Sequence, residues 1–355
     1  MYNGEKLSYY NFIMGNSEGS MNIFFHKKWI AFLDELEVPY GKAIQLRIGN
    51  HLRPLLVYWG NAFATHSINA ICVDAATEMA LCVEIIHKTS IIIDDLIDSD
   101  EKRHNRVAFH KQYSSEEAVI FAIYFLGKAF CKMNELSVHY PTLKKISLDI
   151  FSKTLCMMAN GCLQELTLTE DSRYDIRAIS NIISMETSAL IKNSALLGFL
   201  ISRTPTKEQM ILLNDIGDKV GFLFQAMNDL EPFSSYKNIS LHKGSFNIDF
   251  ERSRKNLIVA YIFGMCGTKE KQQLKEMKNS PEAISYMIQL YKKYNIFNIV
   301  QNDLKEVEGQ VETLIDQLVA QQINKQCLDD FHRFFADIIK IANEKLFTYN
   351  STEID

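Results

Sequence analysis

One apolar segment, residues 73–97, constrains the fold of this chain more than any other feature of the sequence. Its apolar residues cover more than one helical face, as expected of a helix that is buried inside a bundle. Only 6 prolines and 15 glycines occur among the 355 residues, which argues against a turn-rich β-sandwich and against disordered or fibrous proteins. The segment therefore predicts an all-α protein in which other helices surround it.

Helical patterns also extend over four further segments, at residues 116–136, 143–168, 176–202 and 207–230. Ser114 and Glu117 have the spacing of a capping box ahead of the first of them. The run Ile91–Ile93 could form a strand, but it lies inside a long periodic segment, and we predict helix there. Because no linker, repeat or low-complexity tract interrupts the pattern, we expect a single domain over residues 1–355, with residues 1–24 as a poorly ordered or peripheral segment.

Charge and cysteine content narrow the class of protein further. The net charge is −5 and the isoelectric point is near 6.0, so the molecule as a whole does not match nucleic acid. The seven cysteines are scattered without a C-x-x-C pair, which predicts reduced thiols and a cytoplasmic protein. The apolar stretches are shorter than the roughly 20 residues that a membrane span requires, so we expect none.

The motif with the clearest chemical meaning is Asp94-Asp95-Leu96-Ile97-Asp98. On a helix Asp94 and Asp98 share a face, and Asp95 lies three residues from Asp98. Three converging carboxylates repel one another and need a cation, and Mg²⁺ suits one or two carboxylates together with phosphate oxygens and water. The alternative is a solvated helix end, but the long apolar segment that precedes the motif favours a site for a metal and a diphosphate.

A short basic run, Arg103-His104-Asn105-Arg106, follows the aspartates. Arginine can bind a phosphate group through two parallel hydrogen bonds. Alone the run could be ordinary surface, but its position beside the acidic motif favours a phosphate contact.

Five segments in series resemble the trans-isoprenyl diphosphate synthases, or polyprenyl synthetases, over roughly residues 43–260. Residues 49–54 are similar to the family's G-K-R-x-R-P segment, and His87 stands seven residues before Asp94, where the family has a histidine that contacts isopentenyl diphosphate. Asp94 to Asp98 matches the motif D-D-x-x-D without a gap. Gly161 and Glu165 resemble G-Q-x-x-D, and residues 224–229 lie where F-Q-x-x-D-D-x-x-D belongs.

The resemblance implies a single helical bundle of the isoprenoid synthase type around a deep central cavity, with two acidic motifs at its mouth. It implies a Mg²⁺-dependent enzyme, with up to three ions, that ionises an allylic prenyl diphosphate and releases pyrophosphate, and it implies a homodimer. The implied catalytic residues are Asp94, Asp95 and Asp98. The implied metal ligands are these three with Asn228, Asp229 and Glu231, and the implied substrate contacts are Arg53, His87, Arg103, Gln225, Lys243 and Arg254.

The sequence departs from the family pattern at both diphosphate sites. In the second motif Asn228 replaces the first aspartate and Pro232 the last, while Glu231 adds an acid between them. In the site for isopentenyl diphosphate, Asn50, His51 and His104 each replace a cation, and Glu186 replaces the lysine of a K-T pair. Histidine is mostly neutral at pH 7 and asparagine carries no charge, so this site has lost positive charge.

The loss of positive charge suggests a changed acceptor for the allylic group. We therefore predict a class I terpene synthase, or a prenyltransferase with a non-standard acceptor. Two alternatives stay open: an ordinary synthase that condenses isopentenyl diphosphate, and a non-catalytic subunit of a heteromeric synthase.

The residues just before the first motif predict the length of the substrate. Ser90 and Thr89 are small where short-chain members of the family carry bulky aromatics, and Ile86 continues the same line along the helix. A cavity without an aromatic floor admits substrates of roughly fifteen to twenty carbons or more, each buried CH₂ contributing about 0.8 kcal/mol. The alternative is that the two small residues only let helices pack and that an aromatic elsewhere forms the floor.

Overall fold

The computed structural model describes residues 8–16, 19–65, 67–103, 106–140, 143–169, 172–234, 254–278, 280, 282–321 and 323–350. This part of the chain is almost entirely helical, which confirms the predicted all-α class. The helices are α1 (Tyr9–Met14), α2 (Met21–Asp34), α3 (Ile44–Arg47), α4 (Leu52–Ala64), α5 (Val73–Ile97), α6 (Phe109–Gln112), α7 (Ser115–His139), α8 (Lys144–Leu166), α9 (Ile176–Ile183), α10 (Ala189–Ser202), α11 (Lys207–Ser234), α12 (Leu257–Met265), α13 (Thr268–Glu276), α14 (Glu282–Lys293), α15 (Ile296–Ala320) and α16 (Lys325–Asn350).

Short elements connect these helices. Strands β1 (Lys102–Arg103) and β2 (Arg106–Val107) form a two-stranded antiparallel ribbon. A π-helical turn, Ser184–Ser188, lies between α9 and α10. The predicted helix over residues 176–202 is therefore interrupted, because five residues there bond i→i+5 instead of i→i+4.

The predicted helix start at Ser114 and the predicted helix over residues 73–97 are both confirmed. The hydroxyl of Ser114 accepts a hydrogen bond from the backbone N–H of Glu117 at 3.0 Å, which satisfies one of the free donors at the start of α7. The run Ile91–Ile93 lies inside α5, as predicted.

The chain divides into two compact units. The first consists of Met1–Leu155, Leu190–Gly217 and Glu312–Phe335, and the second of Cys156–Ala189, Asp218–Val311 and Ala336–Asp355. The single domain expected from the sequence stays a prediction.

The core of the first unit is built around α5, which packs against α4 and α7. Aromatic rings from α2 and α7 fill one side of it, with Trp29, Phe32 and Phe125 in mutual contact. Helices α4 and α10 cross with their backbones very close together. A Cβ on Gly60 would lie only 1.8 Å from the carbonyl oxygen of Ala195. Glycine is required there for α10 to lie so close to α4.

The N-terminal segment differs from our expectation that residues 1–24 are peripheral. Among its described residues, Tyr9 and Ile13 of α1 are buried in the core of the first unit. The hydroxyl of Tyr9 accepts a hydrogen bond from the side-chain amide of Asn324 at 2.6 Å. The pattern of this short helix was too brief to predict, since α1 spans only six residues.

In the second unit α12 is buried from Leu257 to Phe263, and it packs against α9 and the turn Ser172–Tyr174. The rings of Tyr174 and Phe263 stack at a centroid distance of 3.7 Å. The seven cysteines are unpaired, in line with the expected reduced thiols, and the cytoplasmic location stays a prediction. Within the described ranges, we find no helix with the length and apolarity needed to cross a membrane.

Candidate active site

The first acidic motif lies at the C-terminal end of α5. The backbone N–H of Asp98 donates to the carbonyl oxygen of Asp94 at 2.8 Å, so Asp98 caps the helix one turn after Asp94. The side chain of Asp94 is 51% exposed, whereas that of Asp95 is 2% exposed. Helix geometry thus places Asp94 and Asp98 on one face, with Asp94 open to solvent, and turns Asp95 inward.

Arg103 lies on the ribbon that follows α5 and contacts the aspartates. Its Nε donates to Oδ1 of Asp95 at 2.7 Å, and its Nη2 donates to Oδ2 of Asp94 at 2.9 Å. The carboxylate of Asp100 lies 3.9 Å from the same Nη2. Arg103 therefore balances the charge of the acidic motif in this structure, and its predicted contact with a phosphate stays a prediction.

Burial and neighbouring charges shift the pKa values of Asp95 and Arg103 in opposite directions. Burial raises the pKa of Asp95 to about 6, and the opposing attraction of Arg103 does not overcome it. Burial alone would lower the pKa of Arg103, but Asp95 and Asp94 outweigh it and the net pKa is raised. The guanidinium group is therefore permanently charged beside the motif.

The donor set of the first motif fits a hard divalent ion. Asp94 and Asp98 offer carboxylate oxygens from adjacent turns, which is the number of protein ligands that Mg²⁺ usually takes. Asp95 is paired with Arg103 and is less available. In the described part of the chain, no three His, Cys, Asp or Glu side chains converge tightly enough to enclose a metal by themselves. An ion at this site would thus depend on water or substrate oxygens for its remaining ligands.

A second cluster in the same unit brings together Arg53 and His87, two of the residues expected to contact substrate. Nη1 of Arg53 donates to Nε2 of His87 at 3.2 Å. Burial lowers the pKa of Arg53 to about 10. Burial, followed by the charges of Arg53, Lys88 and Arg103, holds the pKa of His87 well below its usual range. His87 is therefore neutral, and the positive charge of the cluster comes from its neighbours.

His51 does not face this cluster but is turned inward at the start of α4. It adopts a left-handed conformation with φ +51°. Its Nδ1 lies 3.0 Å from Oε1 of Glu84, and its Nε2 lies 2.9 Å from Nδ1 of His26. Lys88 lies one turn beyond Glu84 on α5, and its Nζ donates to the carbonyl oxygen of Ile48 at 2.5 Å.

Sequence reasoning missed both Glu84 and Lys88. The available signal was an i, i+4 pair of opposite charges in the middle of a largely apolar helix. Such a pair is buried together with the helix and must find polar partners there.

In the second unit, Asp229 is engaged by protein groups on both of its oxygens. Oδ1 accepts from Nε2 of Gln225 at 2.7 Å, and Oδ2 accepts from the backbone N–H of Leu257 at 2.7 Å. Asp229 thereby supports the first turn of α12, where backbone donors are free. These bonds leave Asp229 poorly suited to bind a metal, while Asn228 one residue before it is exposed.

The remaining predicted residues of the second unit are placed as follows. Gln225 accepts a hydrogen bond from the hydroxyl of Thr187 at 2.9 Å, so both ends of its amide are used. Arg254 lies two residues before Asn256, the N-cap of α12, and is half-buried. Lys243 and the side chain of Glu231 lie outside the described residues. The metal set Asn228, Asp229 and Glu231 stays a prediction.

Lys255 joins two glutamates in the second unit. Its Nζ lies 2.8 Å from Oε2 of Glu165 and also contacts Oε2 of Glu186, which belongs to the π-helical turn. The backbone N–H of Lys255 donates to Oε1 of Glu165 at 2.8 Å. Gly161 permits the contact of α8 with this turn, because a Cβ there would lie 2.7 Å from Cγ of Glu186. Lys255 thus places a cation beside Glu186, the acid at the position where the family pattern has a lysine.

The residues predicted to line the cavity have no unsatisfied hydroxyl groups. The hydroxyl of Thr89 donates to the carbonyl oxygen of Ile85 at 2.8 Å, and that of Ser90 donates to the carbonyl oxygen of His87 at 2.9 Å. Both side chains are half-buried, and Ile86 is buried. Their role in substrate length stays a prediction.

Comparison with known proteins connects both units to one family. The family model for polyprenyl synthetase matches residues 36–294. The chain is 26% identical over 256 residues to geranylgeranyl diphosphate synthase of Sulfolobus acidocaldarius, with 70% of this chain and 74% of the relative covered. It is 25% identical over 190 residues to heptaprenyl diphosphate synthase component 2 of Bacillus subtilis, with 53% of this chain and 50% of the relative covered.

A solved structure shows the same fold. The crystal structure of geranylgeranyl pyrophosphate synthetase from Pyrococcus horikoshii superposes with a TM-score of 0.71 at 22% sequence identity. The alignment covers 90% of this chain and 95% of that chain.

Proposed function

This chain belongs to the polyprenyl synthetase family, and we propose that it is a Mg²⁺-dependent prenyltransferase that ionises an allylic prenyl diphosphate and joins the prenyl group to isopentenyl diphosphate. One observation carries the proposal. Asp94 and Asp98 lie at the C-terminal end of α5, and His87, which is hydrogen-bonded to Arg53 of α4, lies earlier on the same helix next to Lys88. His87 and Asp94 are two helical turns apart on one face, which is about 10 Å along the axis.

Residues on and beside α5 would bind two different diphosphate groups, one on each substrate. Asp94 and Asp98 would hold Mg²⁺, which when bound stabilises the negative charge of the departing pyrophosphate. Arg103 keeps Asp95 ionised against the effect of burial and fixes Asp94 beside it. Arg53, with neutral His87 accepting its hydrogen bond, is the proposed contact for the diphosphate of the acceptor.

The allylic substrate is proposed to have fifteen to twenty carbons or more. The support is the absence of bulk at Ser90 and Thr89, whose hydroxyls are turned onto their own helix and leave only small side chains along this face. Up to three Mg²⁺ ions are proposed by family resemblance. The contacts of Asp229 weaken the case for those that the second motif would hold.

A homodimer is proposed through α7, which carries an exposed apolar stripe. The side chains of Ile120 and Ile123 are 66% and 64% exposed, and Phe130 extends the stripe two turns further. An uncharged stripe can face a copy of itself across a two-fold axis, and contiguous exposed apolar patches mark interaction sites. A monomer in solution, with Ile123→Glu behaving like the wild type, would contradict this assignment.

A changed acceptor is the second candidate, as in a class I terpene synthase or a prenyltransferase with a non-standard acceptor. It is favoured by Asn50 and by the inward position of His51, since neither residue supplies a charge to the acceptor site. A non-catalytic role in a heteromer is a third candidate, because one relative is named as component 2 of heptaprenyl diphosphate synthase.

Product analysis with and without isopentenyl diphosphate tests the proposal. The purified chain is incubated with Mg²⁺ and allylic diphosphates of ten, fifteen and twenty carbons, and released pyrophosphate and extracted products are measured. We expect pyrophosphate release that requires isopentenyl diphosphate, together with elongated diphosphates. Release without it, accompanied by hydrocarbon or alcohol products, would favour the terpene synthase reading, and no release would favour the non-catalytic subunit.

A further inference from the structure

Lys88 is a buried charge in the middle of an apolar helix. Only 4% of its surface is exposed. Its Nζ donates to the carbonyl oxygen of Ile48 at 2.5 Å and lies 3.8 Å from Oε1 of Glu84. A buried ammonium group costs free energy even when it is paired. The residues that contact Lys88 therefore indicate the role of its buried charge.

Lys88 supports the loop that leads into α4. A Cβ on Gly49 would lie 3.1 Å from Nζ of Lys88, so the ammonium group packs directly against the loop backbone. Gly49 has φ +148° and His51 has φ +51°, both in the region that L side chains rarely adopt. Two unusual conformations within three residues need contacts that hold them. Lys88 at Ile48, and Glu84 at His51, supply those contacts.

The loop also sets the position of Arg53, which lies in the first turn of α4 just after His51. Arg53 reaches His87, the residue next to Lys88 on α5. The charges of Arg53 and Lys88 both act on His87 and lower its pKa after the larger effect of burial. Lys88 therefore belongs to the same electrostatic neighbourhood as the two predicted diphosphate contacts.

The loop itself carries no cation. Residue 50 is asparagine, and His51 is engaged by Glu84 and His26. A diphosphate site needs compensating positive charge, and Lys88 of the adjacent helix is a cation that contacts this loop.

We propose that Lys88 is a positioning residue of the acceptor site. Its ammonium group holds the loop at residues 48–50 in place, so that Arg53 and His87 face one diphosphate. Its positive charge also replaces the charge that Asn50 lacks. The class of ligand rests on the proposed function, because the diphosphate is that of a prenyl acceptor.

The test measures binding of isopentenyl diphosphate by calorimetry and, separately, the Michaelis constant for the allylic substrate. Lys88→Met should raise the dissociation constant of isopentenyl diphosphate at least tenfold, while the constant for the allylic diphosphate changes less than twofold. Lys88→Gln retains an amide donor for Ile48 and removes the charge, so its loss should be smaller than that of Lys88→Met. Adding Asn50→Lys to Lys88→Met should restore affinity to within about threefold of the wild type.

Matched controls separate this role from stability. Lys153→Met makes the same substitution at an exposed lysine and should change neither constant. The proposal is wrong if Lys88→Met, or Lys88→Gln where the former does not fold, binds within twofold of the wild type. It is equally wrong if Lys88→Met weakens the binding of both substrates alike and the added Asn50→Lys does not restore affinity. It is also wrong if the wild type binds neither isopentenyl diphosphate nor inorganic diphosphate. Failure of the proposed function is read separately, as absence of pyrophosphate release from an allylic diphosphate.

Discussion

Replacing Lys255 by methionine is expected to destabilise the protein substantially, because Lys255 lies between Glu165 and Glu186. The side chains of Lys255, Glu165 and Glu186 are only 13%, 7% and 16% exposed. Methionine keeps the length of the side chain but removes the ammonium group that contacts both carboxylates. Removing one partner of a buried ion pair costs about 3–5 kcal/mol.

Protonation sets an upper limit to this loss. One carboxyl group can take up a proton, which at pH 7 costs about 3.7 kcal/mol for an ordinary glutamic acid with a pKa near 4.3. We therefore expect Lys255→Met to lower the free energy of unfolding by about 3–4 kcal/mol. Glu186→Gln retains the pair between Lys255 and Glu165 and should cost about 1 kcal/mol.

Urea unfolding monitored by circular dichroism measures these differences. The double variant Lys255→Met, Glu186→Gln should lose less than the sum of the two single variants, with a coupling of about 0.5–3 kcal/mol. Lys153→Met, which removes an exposed pair with Asp149, is the control and should cost less than about 1 kcal/mol. A loss below about 1 kcal/mol for Lys255→Met, or strict additivity of the two substitutions, would refute the role assigned to Lys255.

Two further predictions concern α5. The folded protein holds His87 neutral while the unfolded chain protonates it below pH 6.5, so stability should fall with pH from about 6.5 downward, by up to about 1.4 kcal/mol per pH unit. His87→Gln should reduce that slope in urea unfolding between pH 7 and 5, and an unchanged slope would show that His87 is not the responsible group. Ser90→Phe should shift substrate preference toward ten-carbon allylic diphosphates, with Ser152→Phe on an unrelated helix as control. An unchanged chain-length profile would mean that Ser90 does not limit the cavity.

The sequence alone predicted α5 from end to end because apolar periodicity over a long buried helix is decisive. The interruption at Ser184–Ser188 was not predictable, since an i→i+5 turn has no propensity signal of its own. Here it brings Glu186 to Lys255, a contact between residues far apart in sequence.

Side-chain direction was the other limit of sequence reasoning. We interpreted His51 only as a cation lost from the acceptor site, and the sequence did not indicate that its ring contacts Glu84. The role of Asp229 as a metal ligand stays a prediction, and the sequence did not indicate that its oxygens accept from Gln225 and from the start of α12. A residue type and a spacing do not determine which partner a polar side chain finds once α12 packs beside it.

Pyrophosphate release by the wild type and by Asp94→Ala tests the central claim most directly. Each protein is incubated with Mg²⁺, an allylic diphosphate of fifteen carbons and isopentenyl diphosphate, and the rate is followed with a coupled phosphate assay. Melting temperature serves as the fold control, and Asp149→Ala, which removes an exposed acid elsewhere, as the matched variant. We predict a Mg²⁺-dependent rate in the wild type and in Asp149→Ala, and a loss of at least a hundredfold (about 2.7 kcal/mol) in a folded Asp94→Ala. A folded Asp94→Ala that retains most of the wild-type rate would contradict the assignment of the metal site to α5.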